Sequence, residues 1–249
     1  MPEPAPFKDH FSSQSAAYQK HRPDYPRALF AWLAAAAPGR QLAVDVATGN
    51  GQAAIGLAAH FERVFASDPS AAQLDEARPH PRVLYKNESA ESISVEAGCV
   101  DLLTAAQAAH WLDWPRFTAE ALRVLRPGGV LAIWCYGNCQ VTPDIDRLVG
   151  DFSRDGVGPW WSRERRHVDE GYRDLELPLA RVEAPAFEMR TRWDGAAMLG
   201  YLDTWSAVRR CRERTGRDPL ALLSTPLHAA WGAGRRDVLW PLALRAGRA

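Results

Sequence analysis

Between residues 41 and 137 the chain repeats one unit: a short apolar run, a tight turn, then a helical stretch. The apolar runs are "QLAVDVA" (41–47), "RVFASD" (63–68), "RVLYKN" (82–87), "CVDLLTAAQ" (99–107) and "GGVLAIWCYG" (128–137). Helical segments are expected from about Gly51 to His60, from near Pro69 and Ser70, in a short piece around Ser92, and over "PRFTAEALRVL" (115–125). Strands joined through helices cannot form hairpins with their sequence neighbours, so they assemble a doubly wound, mostly parallel α/β sheet. The "RPGG" turn (126–129) is expected to stop the fourth helix and start the fifth strand.

Two helices are expected before this core. One covers residues 11–22, ended by Pro23 and Pro26; the other is "RALFAWLAAAA" (27–37), stopped by Pro38 and Gly39. After residue 137 the alternation breaks. Residues 138–180 show little apolar periodicity and concentrate aromatic and basic side chains in "PWWSRERRH" (159–167), which reads as an insertion over the ligand end of the sheet. "ARVEAPAFEMRTRW" (180–193) alternates as a strand, "DGAAMLGYLDTWSAVRRCRER" (194–214) reads as helical, and "DVLWPLALRAG" (237–247) as a last strand. A single domain is expected over 1–249: a helical cap (1–38), the core (41–137), the insertion or lid (138–180) and C-terminal strands and helices (181–249).

Composition narrows the partners. Thirty basic residues balance thirty acidic ones, so no long-range field draws the chain to nucleic acid or an anionic membrane. No apolar run reaches the ~18 residues of a membrane span, and the first residues lack the pattern of a secretion signal. Cys99, Cys135, Cys139 and Cys211 are scattered, without a second ligand pair beside Cys135 and Cys139, so no metal site is expected. A cytoplasmic protein with reduced thiols, acting on a small molecule, is the expectation.

The turn after the first strand, "DVATGNGQ" (45–52), fits two templates. Gly49-x-Gly51-x-x-Ala54 is a form of the dinucleotide fingerprint, which delivers helix amides to a pyrophosphate. Asp45-x-Ala47-x-Gly49-x-Gly51 instead puts a carboxylate at the mouth of the site. A carboxylate there opposes a pyrophosphate and suits a ligand bearing an ammonium group. Asp68, ending the second strand, can accept from a ribose diol in either case.

With these residues in this order, the chain resembles class I S-adenosylmethionine-dependent methyltransferases, in particular the small-molecule group that includes trans-aconitate methyltransferases. The resemblance is carried by "DVATGNGQ", "ASD" (66–68), "NESAES" (87–92), "DLLTAAQAAHWLD" (101–113) and "RVLRPGGVLAIWCYG" (123–137). "FSSQSAAYQKHRPDYP" (11–26) and "YLDTWSAVRR" (201–210) extend it over nearly the whole chain. It implies a seven-stranded sheet of order 3-2-1-4-5-7-6 with strand 7 antiparallel. It also implies S-adenosylmethionine as cofactor and S-adenosylhomocysteine as product.

Residue by residue, the resemblance places Asp45 toward the methionine ammonium, Gly49 and Gly51 along the methionine and ribose, and Asp68 on the ribose hydroxyls. Ser89, Ala90 and Glu91 would flank the adenine, Gln107 would stand at the switch-point crevice, and Tyr18 and Arg22 would close over the cofactor. Ala47 replaces the family's usual first glycine, so the turn begins with a Cβ.

For the chemistry, His110 is the candidate general base, and the alternative is that "HW" (110–111) shapes the pocket without moving a proton. A carboxylate acceptor would need no base. Trp111, Trp134, Tyr136, Trp160 and Trp161 are candidates for the pocket wall, and Arg165 and Arg166 for an acidic substrate. A solvated arginine face paired with Glu164, Asp169 and Glu170 is the competing reading of that run. At the level of function, a non-catalytic cofactor-binding regulator and a nicotinamide-dependent oxidoreductase are the alternatives to a methyltransferase.

Overall fold

The computed structural model describes residues 23–249. The expected 11–22 helix, with Tyr18 and Arg22, lies outside the described residues. Helix α1 (Arg27–Ala36) precedes the core. The core alternates β1 (Leu42–Val46), α2 (Gln52–Ala58), β2 (Arg63–Ser67), α3 (Ala71–Asp75), β3 (Val83–Lys86), β4 (Val100–Ala106), α4 (Trp114–Val124) and β5 (Leu125–Cys135). Then come α5 (Pro143–Asp151), α6 (Arg165–Asp169), β6 (Ala180–Val182), β7 (Phe187–Trp193), α7 (Gly195–Asp203), α8 (Ser206–Thr215), α9 (Ala221–Trp231) and β8 (Arg236–Arg248).

Local chemistry sets several of these boundaries. Asp113 caps α4 by accepting from the Arg116 N–H, with Pro115 in the first turn, where a missing N–H costs nothing. Asp194 caps α7 through the Ala197 N–H at 2.8 Å. No helix forms around Ser92, where the chain only turns. The 194–214 stretch is two helices, broken at Thr204 and Trp205, and α9 is a further helix that tolerates Pro226 inside it.

The sheet runs β3-β2-β1-β4-β5-β8-β6, parallel from β3 to β5 and antiparallel where β8 meets β5 and β6. This is the expected order with eight strands instead of seven. The expected 180–193 strand is divided into β6 and β7 at "EAPA" (183–186), where Pro185 has no N–H to give a ladder. Both pieces pair with β8, whose first half holds β7 and whose second half inserts between β5 and β6. The "RPGG" turn is also revised: it lies within the irregularly paired start of β5, which begins at Leu125.

Strands β1, β4 and β5 are buried on both faces, as a parallel sheet between helices must be. Alternation sends Leu102, Val130, Ala132 and Trp134 into a core shared with α1, α2 and α7–α9. It sends Leu103, Ala105, Leu131, Ile133 and Cys135 into a second core shared with α4. The α1–α2 contact is close enough that a Cβ on Gly56 would stand 2.2 Å from the Phe30 ring. The insertion contributes to both cores, through Phe152 and Val157 on one face and Val168, Tyr172 and Leu175 on the other. It therefore crosses the end of the sheet between them.

Candidate functional site at the carboxyl ends of the strands

The turn after β1 is built from left-handed backbone. Ala47, Gly49 and Gly51 take φ of 49°, 58° and 82°, so Ala47 holds the conformation that glycine adopts freely. At Gly51 a Cβ would also stand 2.2 Å from the Tyr85 hydroxyl, so this position is closed to a side chain on two counts. Three of the turn amides are spent inside the protein. Thr48 N–H donates to the Ser67 carbonyl at 3.0 Å, Gly51 N–H to the Thr48 carbonyl at 3.0 Å, and Gly49 N–H to Asp68 Oδ2 at 2.8 Å. A pyrophosphate would need such amides, and residues 45–52 carry two-way polar and acidic groups but no basic side chain.

Asp68 is buried and also accepts from the Ser70 N–H at 2.9 Å. Asn87 secures the same strand end by donating to the Asp68 carbonyl at 2.8 Å. The donor and acceptor set thus fits a phosphate-free, cationic nucleoside better than a dinucleotide.

Asp45 has no accessible surface. Its oxygens accept from Thr48 Oγ1 at 2.5 Å and Thr104 Oγ1 at 2.7 Å. Burial pushes its carboxyl up to about 6, against the lowering effect of those two hydroxyls, and Asp68 adds a smaller upward push. Thr104 was not singled out in the sequence. It is the register partner of Asp45 across β1 and β4, and two polar residues inside adjacent apolar strands are the signal that marks it.

Gln107 closes β4 with φ 53°. Its side-chain amide pairs with the Tyr136 backbone, donating to the carbonyl at 3.1 Å and accepting from the N–H at 2.8 Å. It ties the ends of β4 and β5 together at the crevice. Ala90 is buried, while the Glu91 carboxylate accepts from the Asp113 N–H at 2.9 Å and from the Ser89 hydroxyl. Glu91 thus braces the loop before α4.

His110 lies on a single 3-10 turn, Ala109–Trp111, between β4 and α4. Its Nδ1 is 2.8 Å from the hydroxyl of Tyr172, a fully buried residue of the insertion that the sequence did not single out. Burial pushes His110 down to about 3, helped by Arg165 and His167. The same burial holds the Tyr172 phenol well above its usual range. The imidazole is therefore neutral at physiological pH.

The insertion delivers its residues unequally. Arg165 is largely covered: its guanidinium lies 4.4 Å from the centre of the Trp161 ring and its Nε donates to Asp169 at 2.8 Å. Arg166 is exposed. Trp161 donates its indole N–H to the Ser153 carbonyl and packs 5.3 Å from Trp205, and the Trp160 carbonyl accepts from Arg210 at 3.1 Å. Trp134 has no accessible surface and stands edge-on to Tyr25 at 5.4 Å, which makes it a core residue beneath the site. Tyr136 is buried beside the same Tyr25 ring, and Trp111 is half-buried against His110 at 4.7 Å. A cavity of about 680 Å³ opens between α1, α2 and Asn50–Gln52, but Asp68, His110 and Arg165 do not line it.

Among the described residues no cluster of His, Cys, Asp or Glu suits a metal ion, and no helix is long and apolar enough to cross a membrane.

A match to the methyltransferase domain family covers residues 44–133, the span from β1 to β5. A Dictyostelium discoideum protein named as a methyltransferase is 32% identical over 93% of this chain and 89% of its own length. A Saccharomyces cerevisiae protein named as an S-adenosylmethionine-dependent methyltransferase is 30% identical over 66% of this chain and 58% of its own. A solved structure from Anaeromyxobacter dehalogenans, named as a type II methyltransferase, is 49% identical with a TM-score of 0.86, covering 91% of this chain and 97% of that one.

Proposed function

This chain belongs to the class I methyltransferase family, and on that premise we propose that it methylates a small acidic molecule on a carboxylate oxygen, using S-adenosylmethionine. The observation that carries the acidic substrate is Arg165, which the insertion turns inward toward His110 while its neighbour Arg166 faces solvent. A guanidinium supported on an indole and partly withdrawn from water recognises carboxylates well.

The cofactor assignment is supported by the spent amides of the turn, by Asp45 and Asp68, and by the family. Asp68 would hold the ribose hydroxyls. Asp45, negative above about pH 6 and wholly enclosed, would face the methionine ammonium through the turn that it braces. Gly49, Gly51 and Ala47 would let the backbone approach the ligand, with Ala90 and Glu91 near the base and Gln107 at the crevice. When bound, S-adenosylmethionine would supply a methyl group on a cationic sulfur, the donor for transfer to the acceptor oxygen.

A carboxylate is already an anion, so the protein has no proton to remove. Its work is orientation and exclusion of water. The crossing of the insertion over the sheet end supports both.

Calorimetric titration with S-adenosylhomocysteine, with NAD and NADP in parallel, tests the cofactor. Micromolar binding of the first alone is expected, and binding of a nicotinamide cofactor instead would overturn the proposal. A panel of small acids, amines and phenols then tests the acceptor. Turnover confined to amines or phenols would remove the carboxylate.

A further inference from the structure

The His110–Tyr172 contact constrains where the imidazole proton sits. Nδ1 stands 2.8 Å from the phenol oxygen, and among the described residues it is the hydrogen-bond partner of that hydroxyl. A buried hydroxyl has to give its proton to an acceptor, and for this fully buried phenol the acceptor within reach is Nδ1. The phenol keeps that proton, because burial holds it far above its usual range. A neutral imidazole that accepts at Nδ1 carries its hydrogen on Nε2.

The groups facing this pair are Arg165 and His167 from α6 and Cys135 from β5. Arg165 opposes a second positive charge on the ring, and the Cys135 thiol is itself pushed up to about 12 by burial. Neither the Arg165 guanidinium nor the protonated Cys135 thiol can accept a proton from Nε2. Nor is Nε2 among the buried atoms left without a partner, so it has access to open space.

We infer that Tyr172 is a positioning residue that fixes His110 in the Nε2–H form, so that His110 meets the substrate as a hydrogen-bond donor and not as a general base. This rests on the methyltransferase reading and narrows its acceptor. A donor at Nε2 beside the Arg165 guanidinium suits an oxygen anion, which accepts from both. An alcohol or amine that must lose a proton finds no base here. Recruiting Tyr172 from the insertion also makes substrate choice depend on how that segment is seated.

The test is the tautomer itself, read by long-range ¹H–¹⁵N correlation on the full chain labelled at histidine. The His110 signal is the one missing from the His110→Gln spectrum. A protonated Nε2 and a bare Nδ1 are expected from about pH 5 to pH 8. A protonated Nδ1 would overturn the inference, whatever the enzyme turns over. In Tyr172→Phe the fixed pattern should give way to a mixture of tautomers, and an unchanged pattern would remove the role of Tyr172.

A kinetic arm uses whichever small acid is methylated. Losing one donor to a charged group predicts a KM roughly 10- to 100-fold higher in His110→Ala, with a smaller loss in His110→Gln, which keeps an N–H. A fall in kcat of about 10²–10⁴ in both variants, with KM unchanged, is the signature of a lost base and would overturn the inference. If no acid is methylated at all, that counts against the proposed function, while the tautomer measurement still decides the inference.

Discussion

Gly49 donates its backbone N–H to Asp68 Oδ2 at 2.8 Å, so the carboxylate that ends β2 holds the glycine turn that follows β1. The same carboxylate takes the Ser70 N–H at 2.9 Å. Asp68 is thus a structural clamp as well as the proposed ribose ligand. Asp68→Ala should abolish measurable S-adenosylhomocysteine binding and cost about 1–3 kcal/mol of stability, from one buried and one partly buried N–H group losing their acceptor. Asp68→Asn keeps an acceptor for one of them and should recover part of the stability without the affinity. Calorimetry and urea unfolding on both variants check this; intact affinity in Asp68→Ala would remove Asp68 from the cofactor site.

The turn also carries a backbone strain that can be relieved. Ala47 sits at φ 49°, which costs an L-residue about 1–2 kcal/mol, whereas glycine there loses about 0.4–1 kcal/mol through the unfolded chain. The first term wins, so Ala47→Gly should raise stability by up to about 1 kcal/mol. Gly51→Ala should do the reverse, by about 1–3 kcal/mol, since it combines positive φ with the Tyr85 clash. Thermal midpoints report both signs directly.

Two buried groups give opposed pH dependences. Asp45 rises from 3.8 to about 6 on folding, so the native state holds its proton longer, and between those values stability falls as pH rises. His110 falls from 6.5 to about 3, so the stability it contributes is complete above 6.5 and is lost as pH falls toward 3. The windows overlap between about pH 4 and pH 6, where the two slopes offset each other. Asp45→Asn should unmask stability that rises with pH there, and His110→Gln stability that falls with it. Urea midpoints at half-unit pH steps measure the two slopes, and identical profiles in both variants would refute the assignment.

Arg165 and Arg166 are adjacent in sequence and differ in exposure, which makes them a matched pair. For an acidic acceptor, Arg165→Gln should raise KM by roughly 10- to 100-fold, the worth of one hydrogen bond to a charged group. Arg166→Gln should change it by less than about two-fold, as expected of a screened surface charge. Equal effects would mean that the insertion presents both side chains to the substrate.

The parallel core was legible because its signal is local: five apolar runs, five turns, and glycines where the backbone must go left-handed. Asp45, Gly49, Gly51 and Asp68 could be placed for the same reason, each lying at a strand end or in a turn whose geometry follows from neighbours in sequence. What escaped depends on distant partners. Thr104 matters because register sets it beside Asp45, and Tyr172 because an insertion of weak periodicity folds it onto His110. Trp134 read as a pocket wall since it lies near the active end of β5, but alternation turns it into the core that holds Tyr25. The break between β6 and β7 hinged on one missing N–H at Pro185, which an alternating hydrophobic pattern conceals.

Strand β8 has a consequence for how the molecule is made. It fills the gap between β5 and β6, both of which precede it in the chain. On the ribosome, the parallel half of the sheet can therefore assemble while its β5 flank is still a naked edge, with seven consecutive buried positions on offer from Gly129 to Cys135. Such an edge is a template for strangers. Vectorial synthesis leaves it open through α5 to α9, and only the emergence of residues 236–248 seals the seam.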